Sequence, residues 1–303
     1  MTSVPISEQP PKKFSLARLL RESSIAQGLF LISPANLYLL IFIVLPLILV
    51  TVLSFLSRGT YGDVIFKFNI TNYTRLFDAL YGKILVFSLI VGIGTTGLCL
   101  LIGYPMAYYL ARAPARQRSL LLFLILLPFW TNFIIRIYAW MMILRSGGLL
   151  DSILQWAHIT NASLNILYTP TAVMIGMVYE FLPFMVLPLY TSLEKIENAL
   201  LEAAADLGAP PWKAFLRVTL PLSVPGMIAG TILTFIPAMG MFVVPDLLGG
   251  AKTILIGNVI QNQFLTARDW PFGAAASMIL MLLTMVLTLY YTRKAGFGEE
   301  LLL

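Results

Sequence analysis

Few residues in this chain have side chains suited to catalytic or metal-binding chemistry. Its 303 residues include one cysteine, Cys99, and one histidine, His158. The chain can therefore form neither an internal disulfide nor a cysteine–histidine metal site or catalytic set. The phosphate-binding pattern Gly-x-x-x-x-Gly-Lys-Ser/Thr does not occur, which argues against ATP hydrolysis by this chain. We expect no enzymatic activity, no metal site and no cofactor of its own.

Three charged residues, Arg136, Glu180 and Asp246, stand within or at the ends of long apolar stretches. A charge at the bilayer centre costs on the order of 2.5–3.5 kcal/mol on insertion scales, so each needs a partner or a water-filled path. Pro237 and Pro245 precede Asp246, and prolines free backbone carbonyls where a helix lines a cavity. Asp246 is thus a candidate contact for a cation, or an ordinary carboxylate at a helix end.

The composition is that of a membrane protein, with 59% hydrophobic and 11% charged residues against roughly 25% charged residues in soluble domains. Crossing an apolar layer of ~30 Å takes about 20 helical residues. Six runs are long enough, and their approximate bounds are 29–56, 84–111, 120–144, 171–193, 224–248 and 272–291. The sequence predicts an all-α, polytopic bundle of six transmembrane helices, with polar tails at 1–28 and 292–303.

The basic residues predict the orientation of these spans. Twelve of the twenty Lys and Arg residues lie in segments on the same side as the N-terminus, and seven lie in loops on the other side. Because basic loops stay in the cytoplasm, both tails are expected to be cytoplasmic. We expect membrane lipid as the surroundings, and no nucleic-acid partner, since basic and aromatic residues are not interleaved.

Arg136 and Glu180 are expected at the same depth in the membrane. At 1.5 Å per residue, Arg136 lies about 12 Å and Glu180 about 13–14 Å from the outer ends of their spans. The two can then pair and neutralise each other, or Glu180 can face a water-filled path and attract a cation. Four aromatic residues are candidates for a cation–π lining of that path, or for ordinary packing: Trp130, Tyr138, Tyr179 and Phe184.

The loop between the fourth and fifth spans, at 194–223, is unusually long and reads EKIENALLEAAADLGAPPWKAFLRVTLPLS. Four of its residues share one helical face: Leu200, Ala203, Ala204 and Leu207. Gly208 can end a helix in the left-handed conformation, and Pro211 suits the first turn of the next helix. We expect two short helices, closed by Pro221, whose small residues let a partner approach.

This loop resembles the EAA loop of binding-protein-dependent ABC importer permeases: Glu-Ala-Ala, three residues, Gly, nine residues, Ile-x-Leu-Pro. Valine stands at 218, where isoleucine is commonest. The resemblance implies a type I (MetI-like) ABC permease core that docks on a cytoplasmic ATPase dimer, which binds the ATP. The residues that it assigns to ATPase coupling are Leu200, Glu202, Ala203, Ala204, Asp206, Leu207, Gly208, Val218, Leu220 and Pro221.

Other stretches resemble the spermidine/putrescine (PotB-type) branch of that family, such as Pro-Phe-Trp-Thr-Asn at 128–132 and Arg-Asp-Trp-Pro-Phe-Gly at 268–273. The branch implies import of a polyamine or similar small cation across a bacterial inner membrane, with a periplasmic solute-binding protein and a second, different permease chain. The candidate substrate path then comprises Trp130, Asn132, Tyr138, Tyr179, Glu180, Phe184, Asp246 and Trp270.

Two alternatives concern the solute and the energy source. The same permease class also serves other small solutes, for example amino-acid-derived compounds. A self-sufficient secondary transporter often carries internal repeats, and the two halves of this sequence show no convincing repeat.

Overall fold

The structure is a computed structural model that describes residues 24–160 and 163–294. Most of the tail expected at 1–28 and the end of the tail expected at 292–303 lie outside these residues. The chain divides into a unit that ends at Val52 and a unit that begins at Leu53. Helix is already present at Ser24, four residues before the expected end of the N-terminal tail.

The first unit is helical throughout its described part. It comprises α1 (Ser24–Leu39), a π-helical turn (Leu40–Val44) and the start of α2 (Leu45–Ser54). Pro34 lies inside α1, and the side chains of residues 32–49 are exposed. Exposed apolar side chains along a whole helix suit contact with lipid.

The second unit contains the other helices and one short hairpin. Its elements are β1 (Ser57–Arg58), β2 (Val64–Ile65), α3 (Thr71–Arg75), α4 (Ala79–Arg112), α5 (Ala115–Leu126), α6 (Phe133–Leu144), α7 (Leu149–Trp156), α8 (Pro170–Glu194), α9 (Asn198–Asp206), α10 (Pro211–Ala214), α11 (Leu220–Leu222), α12 (Val224–Gly240), α13 (Ile256–Leu265) and α14 (Trp270–Lys294).

The predicted all-α class is confirmed, but two expected spans are interrupted. Among the described residues, five helical segments are long and apolar enough to cross a membrane, and a sixth is obtained if 211–222 and 224–240, bent by 60°, form one span. The run expected at 120–144 breaks between α5 and α6, so its apolar segment is 133–156. The run expected at 224–248 stops being α-helical after Gly240.

Glycines let the long helices α4, α8 and α12 pack closely. A Cβ on Gly230 of α12 would lie 2.7 Å from the sulfur and 3.1 Å from the carbonyl oxygen of Met185 in α8. A Cβ on Gly226 would lie 2.7 Å from the carbonyl oxygen of Pro188. Small residues at such crossings are the usual means by which membrane helices approach each other. The three helices thus form the frame that holds the candidate site.

The segment before α4 packs against the start of α14. Strands β1 and β2 pair antiparallel, with Ser57 opposite Ile65. The side-chain amide of the buried Asn72 donates hydrogen bonds to the carbonyl oxygens of Ser54 and Leu56, at 3.0 and 2.8 Å. An ion pair of 3.0 Å between Arg75 and Asp269 then joins the end of α3 to the residue that precedes α14.

Candidate substrate path and coupling loop

A break in the helical chain separates α5 from α6. Residues Leu127–Trp130 form a 3₁₀ turn, and Thr131 is extended. The Asn132 side chain then caps α6, because its Oδ1 accepts a hydrogen bond of 2.8 Å from the Ile134 amide. Asn132 therefore starts a new helix, and non-helical backbone at membrane depth is tolerated where it is buried in protein or lines a cavity.

Just beyond this break, Arg136 of α6 forms an ion pair with Glu180 of α8. Nη2 of Arg136 donates to Oε1 of Glu180 at 3.0 Å, and the two side chains are only 9% and 10% exposed. The guanidinium carbon also lies 5.0 Å from the ring centre of Phe129 and 5.9 Å from that of Phe133. Nε and Nη1 of Arg136 are buried and have no hydrogen-bond partner among the described residues.

The candidate aromatic residues differ in their contacts and in their exposure. Tyr179 packs edge-on against Trp140, with ring centres 5.3 Å apart, and Phe184 packs against Phe129 at 5.4 Å. Trp130 is 77% exposed, which leaves most of its ring surface available to lipid or another chain.

Tyr138 is also exposed, at 52%. An apolar cavity of about 380 Å³ lies between α4, α5 and α8, and Phe129 and Tyr179 are among its lining residues. Two of the candidate residues, Trp130 and Tyr138, thus present exposed aromatic surface, whereas Tyr179 lines the cavity.

A second break follows α12 and contains Asp246. The backbone is extended at Met241, and a π-helical turn at Pro245–Gly249 follows. The exposed Asp246 accepts a hydrogen bond from the side-chain amide of the buried Asn258. The same amide donates to the carbonyl oxygen of Phe242 at 2.9 Å. Helices α6 and α8 both contact this turn, so the two breaks neighbour the same part of the frame.

Trp270 has different neighbours from the other candidate residues. It is the first residue of α14, where Asp269 pairs with Arg75. The side-chain Oδ1 of Asp269 also accepts a hydrogen bond of 3.2 Å from the Phe272 amide. The start of α14 is therefore fixed by α3, and within the part of the chain that the structure describes, the contacts of this helix end do not join Trp270 to the Arg136–Glu180 pair.

The loop that resembles the EAA loop is largely exposed. Helix α9 ends at Asp206, Gly208 has a positive φ of 76°, and α10 begins at Pro211. Glu202, Ala203 and Leu207 are exposed, and Leu207 is 88% exposed. The helical segment that contains Pro221 ends at Leu222 and is bent by 60° from the segment of 224–240, so the unit ends within one residue of Pro221, as expected. The remaining coupling candidates are exposed or half-buried: Leu200, Ala204, Asp206, Val218 and Leu220.

One aromatic side chain links this loop to the long helix α4, and the sequence analysis missed it. The ring of Phe215 packs edge-on against Tyr104 and Tyr108, with centres 5.7 and 5.9 Å apart. The Tyr104 hydroxyl shares a hydrogen bond of 2.9 Å with the buried Ser223 hydroxyl. The spacing of Tyr104 and Tyr108, four residues apart on one helix face, was the available signal.

Polar contacts tie the same loop to the end of α4. Nη1 of Arg112 donates a hydrogen bond to the side-chain oxygen of Asn198, the first residue of α9. Arg118 forms an ion pair with Glu194 at the end of α8. The basic cluster after the second span therefore contacts the beginning of the loop, beyond its use as a topology signal.

Comparison with known proteins identifies the family. Residues 100–293 match the family described as "Binding-protein-dependent transport system inner membrane component". The chain belongs to this family. It is a multi-pass inner-membrane protein and a permease subunit of an ABC importer, as its loop predicts.

Individual relatives cover nearly the whole chain. The chain is 48% identical over 258 residues to the spermidine/putrescine transport system permease protein PotB of Escherichia coli, covering 85% of this chain and 94% of that protein. It is 49% identical over 256 residues to the PotB of Haemophilus influenzae, covering 84% and 90%. The resemblance to the PotB-type branch is confirmed.

A solved structure supports the fold. A bacterial ABC transporter involved in the import of the acidic polysaccharide alginate superposes with a TM-score of 0.67 at 18% identity, covering 94% of this chain and 99% of that chain. The expected type I ABC permease core is therefore confirmed at the level of fold.

Proposed function

We propose that this permease subunit imports spermidine and putrescine. The observation that supports this substrate assignment is the 48% identity, over 85% of the chain, to a permease named for these two polyamines. A shared coupling loop alone would be expected of any importer in the family. Similarity over 85% of the chain extends well beyond that loop.

The chemistry around α6 and α8 suits a flexible cation. Glu180 offers a carboxylate at membrane depth, and aromatic faces attract ammonium groups through cation–π contacts. The cavity lined by Phe129 and Tyr179 has a volume of about 380 Å³, within the range of known small-molecule sites. Its apolar walls match the methylene segments that separate the ammonium groups of a polyamine.

The exposed loop provides the connection to an energy source. Leu207 and Trp212, which are 88% and 61% exposed, project from the unit as an apolar surface beside Glu202. We propose that this surface docks on a cytoplasmic ATPase dimer, with both chain termini on the same side. Phe215 then carries the movement of the loop to Tyr104 and Tyr108 of α4.

The proposed transport cycle is alternating access. A loaded periplasmic binding protein docks on the outer loops, and ATP closes the ATPase dimer, which displaces the loop of 198–222 as a rigid lever. Together with a second permease, a different chain, the spans then open outward and accept the solute. ATP hydrolysis by the ATPase resets them.

Substrate selectivity tests this proposal directly. The complete complex, reconstituted in proteoliposomes with its binding protein, is expected to accumulate labelled spermidine and putrescine saturably and only with ATP. Labelled arginine serves as the amino-acid-derived comparison. Uptake of arginine without uptake of either polyamine would contradict the assigned substrate and leave the permease class intact.

A further inference from the structure

The ion pair between Arg136 and Glu180 is incompletely hydrogen bonded for its degree of burial. Only one hydrogen bond joins the two groups, from Nη2 to Oε1 at 3.0 Å. Nε and Nη1 of Arg136 are buried without a partner among the described residues. A guanidinium and a carboxylate bind most strongly as a bidentate pair with two parallel hydrogen bonds. The single bond therefore leaves hydrogen-bonding capacity of the Arg136 guanidinium unused.

The pair also lies close to an apolar cavity, which is lined by neighbours of Arg136 and Glu180 and not by these two residues themselves. Tyr179 and Leu182 flank Glu180 along α8, and both line the cavity between α4, α5 and α8. Phe129 lines the cavity too, and its ring centre lies 5.0 Å from the guanidinium carbon of Arg136. Both members of the pair are therefore next to residues that form the cavity wall.

We infer that Arg136 is a built-in competitor that holds Glu180 until a substrate ammonium group takes its place. The inference rests on the proposed polyamine function and deepens it, because it assigns one ammonium-binding residue and one specificity-determining residue. Without solute, the guanidinium neutralises Glu180. With solute, an ammonium from the cavity side binds the carboxylate, and the guanidinium keeps its contacts with Phe129 and Phe133.

Such an exchange has two physical consequences for transport. The carboxylate is never buried alone, so the empty path does not carry an uncompensated charge. The displaced guanidinium also repels the bound ammonium, which weakens its binding. A transport site needs this balance, because the solute must bind well enough to enter and weakly enough to leave.

The test measures binding of labelled spermidine to the purified complex by equilibrium dialysis, without the binding protein. Arg136→Gln removes the competitor and is expected to tighten binding about tenfold or more, because a competent state populated at ~10% or less raises the apparent Kd by that factor. Glu180→Gln and the double variant R136Q/E180Q are expected to lose the binding. The double variant keeps two amides of similar size, so its folding does not depend on an unpaired buried charge.

Arg75→Gln is the matched control, because Arg75 also forms an ion pair of 3.0 Å, with Asp269. This variant should leave spermidine binding unchanged. If Arg136→Gln binds spermidine no more tightly than the wild type, or if R136Q/E180Q binds it normally, the inference is overturned and the pair is purely structural. Failure of the wild-type complex to import any polyamine would instead refute the proposed function, so the two failures are distinguishable.

Discussion

Replacing Phe215 with alanine removes the ring that connects the exposed loop to α4. The ring makes two edge-on contacts, at 5.7 Å with Tyr104 and at 5.9 Å with Tyr108. Aromatic pairs contribute about 0.5–1.5 kcal/mol each beyond their buried area. Losing both therefore weakens the link between loop and helix by about 1–3 kcal/mol, which as a coupling free energy corresponds to a factor of about 5–150.

The assay for this variant compares uptake with ATP hydrolysis in the same proteoliposomes. Phe215→Ala leaves the outward surface of the loop in place, so the ATPase subunits are expected to co-purify at the wild-type level. Spermidine imported per ATP hydrolysed is expected to fall by about 5–150-fold. Phe215→Leu, which keeps an apolar side chain but no ring, should fall between Phe215→Ala and the wild type.

Trp212→Ala separates docking from transmission. Trp212 is 61% exposed, and the Nζ atom of the neighbouring Lys213 lies 5.4 Å from the centre of its ring. This variant is expected to lose ATPase subunits during purification, whereas Phe215→Ala retains them. Unchanged import per ATP in Phe215→Ala would refute the reasoning that this ring transmits the movement of the loop.

Three further predictions concern the loop and the frame. Gly208→Asp should uncouple transport while the protein remains inserted, because it adds a charged side chain to the exposed turn, whose φ is 76°. Gly208→Asn, which adopts that conformation as readily as Asp but adds no charge, should retain more uptake. Gly226→Ala should lower the thermal stability of the purified complex by about 1–3 kcal/mol, through overpacking against Pro188. Gly97→Ala should raise stability by roughly 0.5–1 kcal/mol, because a Cβ at this position would meet nothing within 4 Å. Thermal denaturation of the purified complex measures both variants, and equal effects of Gly226→Ala and Gly97→Ala would contradict the packing argument.

The sequence predicts the features that depend on spacing along one helix or one loop. Arg136 and Glu180 were expected at equal depth, and the structure places them 3.0 Å apart, because the rise per residue is the same in every helix. The turn at Gly208 and the helix start at Pro211 likewise follow from local backbone preferences.

Features that depend on packing between distant segments were missed. The break before α6 lies in a run that stays predominantly apolar despite Thr131 and Asn132, so hydropathy alone gives one span at 120–144. Asn132, a helix-capping residue that follows Pro128 closely, was the local signal for that break. The contact of Phe215 with α4 joins residues more than one hundred positions apart, and no local pattern in the loop specifies it.

The unequal bonding of Arg136 also could not be read from the sequence. Equal depth allows a bidentate pair, a single hydrogen bond or no contact, depending on the rotation of α6 and α8 about their axes. The structure resolves this by packing Phe129 and Phe133 against the guanidinium, which leaves Nη2 as the atom that reaches Glu180.

The most direct test of the account is uptake of labelled spermidine and putrescine by cells that carry the complete transport system, with Glu202→Lys and Glu202→Gln compared in this chain. Glu202 is exposed on α9, so neither change should disturb folding. The account predicts saturable polyamine uptake that Glu202→Lys abolishes, by reversing charge on the docking surface, and that Glu202→Gln reduces less. Polyamine uptake that is unaffected by Glu202→Lys, with the complex assembled, would contradict the coupling role of this loop.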